Sequence, residues 1–400
     1  MKKRLLIVND KMEIGGNSAA LISLLNAIDK EKYDIDLLLY KNLGELLEEI
    51  PEGVQLLPQA ARFQGRFGFF VRVILLIVTG YGARALWANR KIGMRGFSKQ
   101  VMWNFQTYVL SRELKDEYDC AISFFEGWAD RYVAEKVHAH KKIGWLHSMF
   151  RKIAPIPTLE NEWMGNIDYI ACVSEECRRD FVKEMPEFAE KAVMIENVRD
   201  SAKIRQLSVT EPQADEIYEK FKNAGSTKIV TVCRLSVETK GLDRAVQCAA
   251  NLKAKGYHFL WCIVGDGEDR ESIQKLIREK DVLDCFILAG SRVNPYPFIK
   301  CSDIMCLPSR WEGKPLAVYE SMILSVPVVV TEYLSAHEQI AEKREGIIVP
   351  NDENSIESIE YALAHLMEHP EELEDMKQFL SEHEYGDLTP RDKIDALLCS

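Results

Sequence analysis

Several patterns that assign a chain to a class on sight are missing here. None of its ten cysteines forms a Cys-x-x-Cys pair, and they lie scattered, mostly inside apolar runs. Zinc ligands need tighter clusters and disulfide frameworks belong to short secreted chains, so these read as reduced structural thiols of a cytosolic protein. There is no internal repeat and no low-complexity tract. The start, Met1-Lys2-Lys3-Arg4-Leu5-Leu6-Ile7-Val8-Asn9-Asp10, has the basic opening of a leader, but its apolar run stops at Asn9-Asp10. That predicts a strand.

One further absence is of a single charge. The chain carries −11 overall, yet residues 61–112 contain nine basic residues and no acidic one. Arg62, Arg66, Arg72 and Arg84 lead this stretch, interleaved with Phe63, Phe67, Phe69, Phe70, Trp87, Phe97 and Trp103. Such one-sidedness suits an anionic membrane surface, with a basic rim on a buried helix pair as the plain alternative. The run Val71–Thr79 is too short and interrupted to span a bilayer, which takes about 20 residues. Nucleic acid is the less favoured partner, since an acidic body repels it and no nucleic-acid motif appears.

What is present fits a soluble globular protein: 400 residues, 47% hydrophobic and 28% charged. That length exceeds what one core usually serves, so two domains are expected. Short apolar runs at Leu5–Asn9, Ile35–Tyr40, Val54–Leu57, Cys120–Phe125, Lys142–Trp145, Tyr169–Val173 and Val193–Glu196 alternate with helical stretches. Near 199–227 the pattern turns polar, and a second series follows: Ile229–Cys233, Leu260–Val264, Phe286–Ala289, Ile304–Leu307, Val328–Thr331 and Ile347–Val349. Strands separated by helices imply parallel sheets covered on both faces. The expectation is an α/β chain of two Rossmann-like domains, 1–200 and 201–377, with a helix-prone segment 378–400 beyond the last strand.

The densest chemistry lies in Ser309-Arg310-Trp311-Glu312-Gly313-Lys314-Pro315-Leu316-Ala317-Val318-Tyr319-Glu320. The strand before it and Pro315, suited to a first helical turn, make this strand, loop, helix. Ligands of open α/β sheets bind at the carboxyl ends of strands, where helix N-termini offer free N–H groups to anions. Glu312 and Glu320 can then face one ligand whose phosphates meet the amides of Gly313, Lys314, Pro315's neighbour Leu316 and the helix start. The plain alternative is a solvated loop Glu and an ordinary helix Glu.

Other strand ends carry similar groups. Cys233-Arg234-Leu235 and Lys240-Gly241 follow the first strand of the second series, Gly265-Asp266-Gly267 the next, and Gly290-Ser291-Arg292 the third. Arg takes phosphate oxygens with a planar fork and Lys supplies a point charge, although in a loop both are often only solvated. In the first series, Gly15-Gly16-Asn17 links a strand to its helix, Trp145-Leu146-His147-Ser148 ends another, and Glu126 closes a third. Glu126 either meets a ligand hydroxyl or caps the following helix, and capping is the preferred reading.

This constellation resembles the donor-binding signature of glycosyltransferase family 4: a small-residue loop, Glu-Gly-x-Pro, a second Glu, then Pro327-Val328-Val329-Val330-Thr331. The resemblance covers the second domain at motif level and the first more weakly. It implies the GT-B fold, two Rossmann-like domains facing across a cleft, with the last segment crossing back to the first. It implies that Glu312 contacts the donor sugar, Glu320 the ribose, Arg234 and Lys240 the diphosphate, and Ser291 and Arg292 the base. Gly16 and Gly265 would lie against the donor, and His147 would make the catalytic contact of the first domain. Cys233, Ser325 and Ala336 stand where glycine is common, without touching the charged positions.

The activity so implied is a retaining glycosyl transfer from a nucleotide diphosphate sugar, expected to be a UDP-sugar, to a glycan acceptor. Asn294-Pro295-Tyr296-Pro297-Phe298 with Trp311-Glu312-Gly313 resembles most the bacterial enzymes of surface-polysaccharide synthesis. There a polyprenyl-linked acceptor on the cytoplasmic leaflet would give residues 61–112 a purpose. A departing diphosphate needs a metal or fixed cations and amides. The one clear Asp-x-Asp, Asp34-Ile35-Asp36, opens a strand, where alternation is ordinary surface patterning, so no metal or other cofactor is expected. Alternatives are a nucleotide-sugar 2-epimerase, which has no use for a membrane-facing segment, and a non-catalytic sugar-nucleotide binder, which could dispense with His147 and Glu312.

Overall fold

The structure is a computed structural model that describes residues 2–63, 65–85, 95–153 and 160–399. Met1–Glu13, Asn17–Val198 and Thr389–Ser400 form one compact unit, and Arg199–Leu388 with Ile14–Gly16 the other.

In the first unit, strands β1 (Lys3–Asn9), β2 (Tyr33–Leu39), β3 (Val54–Leu56), β4 (Glu117–Ser123), β5 (His138–Leu146), β6 (Tyr169–Cys172) and β7 (Ala192–Met194) form one sheet. Their spatial order is β3-β2-β1-β4-β5-β6-β7, and every pairing is parallel. Leu5, Leu6, Ile7 and Val8 are all fully buried. A parallel strand covered by helices on both faces is apolar at successive positions, which is why the run reads without alternation.

The second unit repeats the plan with β8 (Thr227–Val232), β9 (Phe259–Val264), β10 (Phe286–Gly290), β11 (Ile304–Leu307), β12 (Val328–Thr331) and β13 (Gly346–Val349). The order is β10-β9-β8-β11-β12-β13, again all parallel. Val328, Val329 and Val330 are completely buried, each worth about 1.5–3 kcal/mol over exposure.

The polar stretch 199–227 is not an extended connection. It holds two helices, Ser201–Ser208 and Glu216–Lys222. Asp200 caps the first by accepting from the Lys203 N–H at 2.9 Å, and Asp215 caps the second by accepting from Ile217 and Tyr218 at 3.1 Å. The aspartates that gave the segment its linker-like composition are helix starts.

At the other end, the helix Pro370–Glu382 stays with the second unit, where Leu380 is buried. Only the helix Thr389–Cys399 joins the first. There Lys3 and Lys141 donate to its last carbonyls, of Leu398 at 3.2 Å and Leu397 at 2.7 Å, and Lys32 meets Asp395 at 3.0 Å. These carbonyls have no helical partner of their own. The returning element therefore starts at Thr389, and residues 378–388 belong to the second unit. Arg199 and Asp387 exchange backbone hydrogen bonds of 3.0 and 2.9 Å where the chain enters and leaves that unit.

Asp36 is buried rather than at the surface, accepting from the Tyr118 hydroxyl at 2.8 Å and facing Arg4 at 3.3 Å, while Asp34 is exposed. In the basic segment, Gly65–Val78 and Arg95–Phe105 are helical. Along the first of these, Phe67, Phe70, Ile74 and Ile77 recur at i, i+3, i+7 and i+10 and are all exposed, Phe67 at 82%. The spacing keeps them on one helix face. Arg62 lies over the Phe63 ring at 4.9 Å and Arg84 near the Tyr81 ring at 5.8 Å. The side chain of Arg66, together with Trp87, Arg90 and Lys91, lies outside the described residues. Among the described residues no helix is long and apolar enough to cross a membrane.

Candidate functional site

In the second sheet the strand order reverses between β8 and β11, which pair directly through Ile304 with Ile229 and Met305 with Val230. Chain leaving these neighbours turns away on opposite faces, so the crevice at their carboxyl ends is where a ligand is held. The loop after β8 carries Arg234 and Lys240. The loop after β11 carries Ser309, Glu312 and Lys314. Gly241 lets the two loops meet: its φ is +63°, and a Cβ there would lie 2.2 Å from the Pro308 carbonyl oxygen. Gly265 permits a similar approach at the end of β9, where a Cβ would fall 1.9 Å from the Cys233 oxygen.

The expected cation and the expected sugar-contacting carboxylate are bound to each other. Lys240 Nζ donates to both oxygens of Glu312, at 2.7 and 2.8 Å, and the Ser309 hydroxyl donates to Glu312 Oε1 at 2.6 Å. Burial disfavours charge on Lys240, but Glu312 overrides it and the ammonium pKa stands above its usual value. Arg234, by contrast, is exposed and makes no hydrogen bond or ion pair among the described residues.

The loop that holds Glu312 is fastened on every side. Arg310 makes a bidentate pair with Asp243 at 2.8 and 2.7 Å and reaches the Val237 carbonyl, and Asn351 donates to the Arg310 carbonyl at 2.8 Å. Ser335 donates to the Gly313 carbonyl, Gln339 to that of Pro315 at 2.9 Å, and Lys314 reaches Glu338 at 3.0 Å. Lys314 is itself buried, so its side chain serves this ion pair. A glutamate on so constrained a loop is pre-positioned.

Pro315 is the N-cap of the helix Leu316–Ile323, and no side chain caps it, so the first-turn amides remain open. Glu320 lies five residues into that helix and takes a different partner, the Tyr296 hydroxyl, at 3.2 Å. Burial pushes its carboxyl up to about 7, against the Tyr296 hydrogen bond. The structure thus joins Glu312 to Lys240 and leaves Glu320 on a separate arm. Arg292 is also engaged: its Nε donates to the cap residue Asp215 at 2.7 Å, and its Nη1 to the Ser291 carbonyl at 3.0 Å.

In the first sheet, β1, β4 and β5 are neighbours, and their carboxyl ends carry Gly16, Glu126 and His147. Gly16 is the first residue of the helix Gly16–Ala27, with open space where a Cβ would stand. His147 Nε2 lies 3.1 Å from the Phe124 carbonyl oxygen. A carbonyl only accepts, so Nε2 carries the proton and Nδ1 is left as an acceptor. Burial holds the imidazole pKa below its usual value despite nearby Glu126, and the ring packs on Phe124 and Trp145.

Glu126 is not the helix cap. That role falls to Asp130, which accepts from the Gly127 N–H at 2.9 Å and the Ser123 hydroxyl at 2.6 Å. Glu126 instead accepts from the His147 backbone N–H at 2.6 Å and so sets the histidine loop. Sequence reasoning also passed over Ser309 and Tyr296. Their only signal was position, three residues before one glutamate and within the Asn-Pro-Tyr-Pro stretch that opens the helix Tyr296–Lys300.

Residues 213–382 match the family described as glycosyl transferases group 1. An uncharacterized glycosyltransferase of Methanocaldococcus jannaschii is 28% identical over 41% of this chain and 40% of its own length. The amylovoran biosynthesis glycosyltransferase AmsK of Erwinia amylovora is 33% identical over 31% of this chain and 32% of its own. The chain therefore spans less than half the length of these curated relatives. The Anabaena protein Alr3699/HepE, solved in complex with UDP-glucose, superposes with a TM-score of 0.69 at 15% identity, covering 99% of both chains. That likeness is one of fold, and the fold is GT-B.

Proposed function

Residues 213–382 match the glycosyl transferases group 1, and from that likeness we propose that the chain is a retaining, metal-independent glycosyltransferase using a nucleotide diphosphate sugar. The observation that carries this is the grouping of Arg234, the Lys240–Glu312 pair and an uncapped helix start at one switch point. Fixed cations and open amides suit a diphosphate, and a fixed carboxylate suits sugar hydroxyls.

In this reading Arg234, Lys240 and the amides of Leu316 and its neighbours hold the diphosphate, with Gly265 and Gly313 allowing close backbone approach. Glu312 orients the sugar, Glu320 meets the ribose, and Ser291 with Arg292 lies toward the base, while His147 is the contact proposed for the first unit. The acceptor hydroxyl attacks the anomeric carbon from the side of the leaving group and gives its proton to the departing phosphate. No dedicated base is needed, and positioning and electrostatics carry the rate. UDP is the expected nucleotide, in keeping with the UDP-glucose complex of the Anabaena protein.

The acceptor we propose is a lipid-linked glycan of surface-polysaccharide synthesis, in keeping with the amylovoran relative. The exposed apolar face of Gly65–Val78, among basic residues with no acidic one, supports docking on the cytoplasmic face of an anionic membrane.

Two experiments test this. Thermal-shift and hydrolysis screens of UDP-, GDP- and ADP-sugars with EDTA should give stabilisation by one nucleotide class and slow diphosphate release, both lost in Arg234→Ala and the release lost in Glu312→Ala. No response in wild type would overturn the reading. Neutralising Arg62, Arg66, Arg72 and Arg84 together should reduce binding to phosphatidylserine vesicles, and unchanged binding would remove the membrane from the account.

A further inference from the structure

The Lys240–Glu312 pair raises a difficulty for any diphosphate reaching this edge. Lys240 has three N–H donors, and Glu312 engages Nζ with both of its oxygens. The pair is partly sheltered, with 23% of the Lys240 side chain and 9% of Glu312 exposed, so its charges are screened weakly by solvent. An arriving diphosphate meets Arg234 as an uncompensated cation and Lys240 as half of a neutral pair.

We propose that Glu312 and the diphosphate compete for Lys240, which makes the grip on the nucleotide conditional on the presence of the sugar. The proposal rests on the donor-site reading above and adds to it an order of events. A sugar on the diphosphate brings hydroxyls that donate to the Glu312 carboxylate, replacing the ammonium. Lys240 is then free to turn to the phosphate oxygens. Once the sugar has left for the acceptor, Glu312 keeps only the Ser309 hydroxyl and reclaims Lys240. The diphosphate product is left on Arg234 and the amides, held less tightly than the donor was. No bond is made or broken in the switch. It redirects one cation between two anions, at the cost of neither being satisfied alone.

The geometry favours such an exchange over a permanent structural pair. Glu312 has a second donor in Ser309 that keeps it in place when Lys240 departs. Lys240 closes the four-residue helical turn Val237–Lys240 immediately before Gly241, so its flexible stem hangs from a short, separate element.

Calorimetry with UDP, GDP and ADP, each with and without glucose on the diphosphate, reads the switch directly. Wild type should bind the sugar nucleotide more tightly than the bare diphosphate. Glu312→Gln, which keeps the shape and removes the charge, should bind the bare diphosphate about tenfold more tightly than wild type, a change of about 1.4 kcal/mol. It should show no such gain for the sugar nucleotide. In a Lys240→Met background the same glutamine substitution should give no gain at all. Glu312→Asp, which withdraws the carboxylate by one methylene, should shift the same way by less and serves if the glutamine variant melts too low. Equal or weaker diphosphate binding by Glu312→Gln, or a gain that survives in Lys240→Met, overturns the proposal while leaving the donor site standing. A wild type that binds none of the nucleotides overturns the donor-site reading and this proposal with it.

Discussion

Arg131 in the first domain and Lys240 in the second each hold both oxygens of a glutamate. Arg131 reaches Glu160 at 2.6 and 2.6 Å, and Lys240 reaches Glu312 at 2.7 and 2.8 Å. Arg131 and Glu160 are 1% and 2% exposed. Trp163 donates to Glu160 at 2.6 Å, Gln100 donates to it as well, and the rings of Trp103 and Trp163 lie 5.3 and 5.4 Å from the guanidinium. Among the described residues both side chains of that pair are almost wholly buried. The second pair stands at a strand-end crevice beside the exposed Arg234. The difference teaches that contact geometry alone does not tell a structural ion pair from a functional one. What separates them is whether a third charged group can arrive, and at what cost in desolvation.

The widest contrast comes from removing the buried Arg131 and, at the crevice, the exposed Arg234. Arg131→Met leaves Glu160 buried and unpaired and should cost about 3–5 kcal/mol of stability by urea denaturation, with nucleotide affinity unchanged in the folded fraction. Arg234→Ala should do the opposite, weakening nucleotide diphosphate binding tenfold or more, about 1.5–3 kcal/mol, while the urea midpoint stays put. Equal effects on both properties in either variant would erase the distinction between the buried cation and the crevice cation.

Glu320 sharpens the comparison as a partly buried carboxyl with no cation partner among the described residues and the Tyr296 hydroxyl beside it. Its pKa is pushed up from the usual carboxylate range to about 7. The folded state then binds more protons than the unfolded state between the two values. Its contribution to stability is therefore intact below the unfolded pKa and falls as pH rises through that window toward 7. Glu320→Gln should abolish this decline, a difference of about 3 kcal/mol by denaturant titrations at pH 4.5 and 7.5.

The smallest effect concerns backbone alone. Ser325 occupies φ +60° in the turn before β12, a left-handed conformation that costs an L-residue about 1 kcal/mol. Ser325→Gly should raise stability by about that much, read as a higher melting temperature, without altering nucleotide binding. The serine that stands where glycine is common in the resembled family is a strained residue, and glycine is the relaxed choice there.

Much of the fold was legible because parallel strands buried on both faces leave continuous apolar runs. Each of the thirteen described strands overlaps a short run visible in the sequence, from Leu5 in β1 to Ile347 in β13. The helices Ser201–Ser208 and Glu216–Lys222 were not legible, since their capping aspartates imitate a polar linker. Nor was the start of the returning helix at Thr389, because 370–399 is helix-prone on both sides of the turn that divides it.

For the site, the sequence by itself determined which strand ends carry Arg234, Lys240, Glu312 and His147. Local apolar pattern sets where a strand stops, and that needs no knowledge of the rest of the chain. Only the tertiary structure decided who meets whom. It put Lys240 on Glu312, 72 residues away, gave Glu320 to Tyr296 and set Glu126 beneath the His147 backbone. Those pairings follow from strand order, above all from the adjacency of β8 and β11. That order is fixed by how two whole sheets bury their faces, which no local stretch of residues encodes.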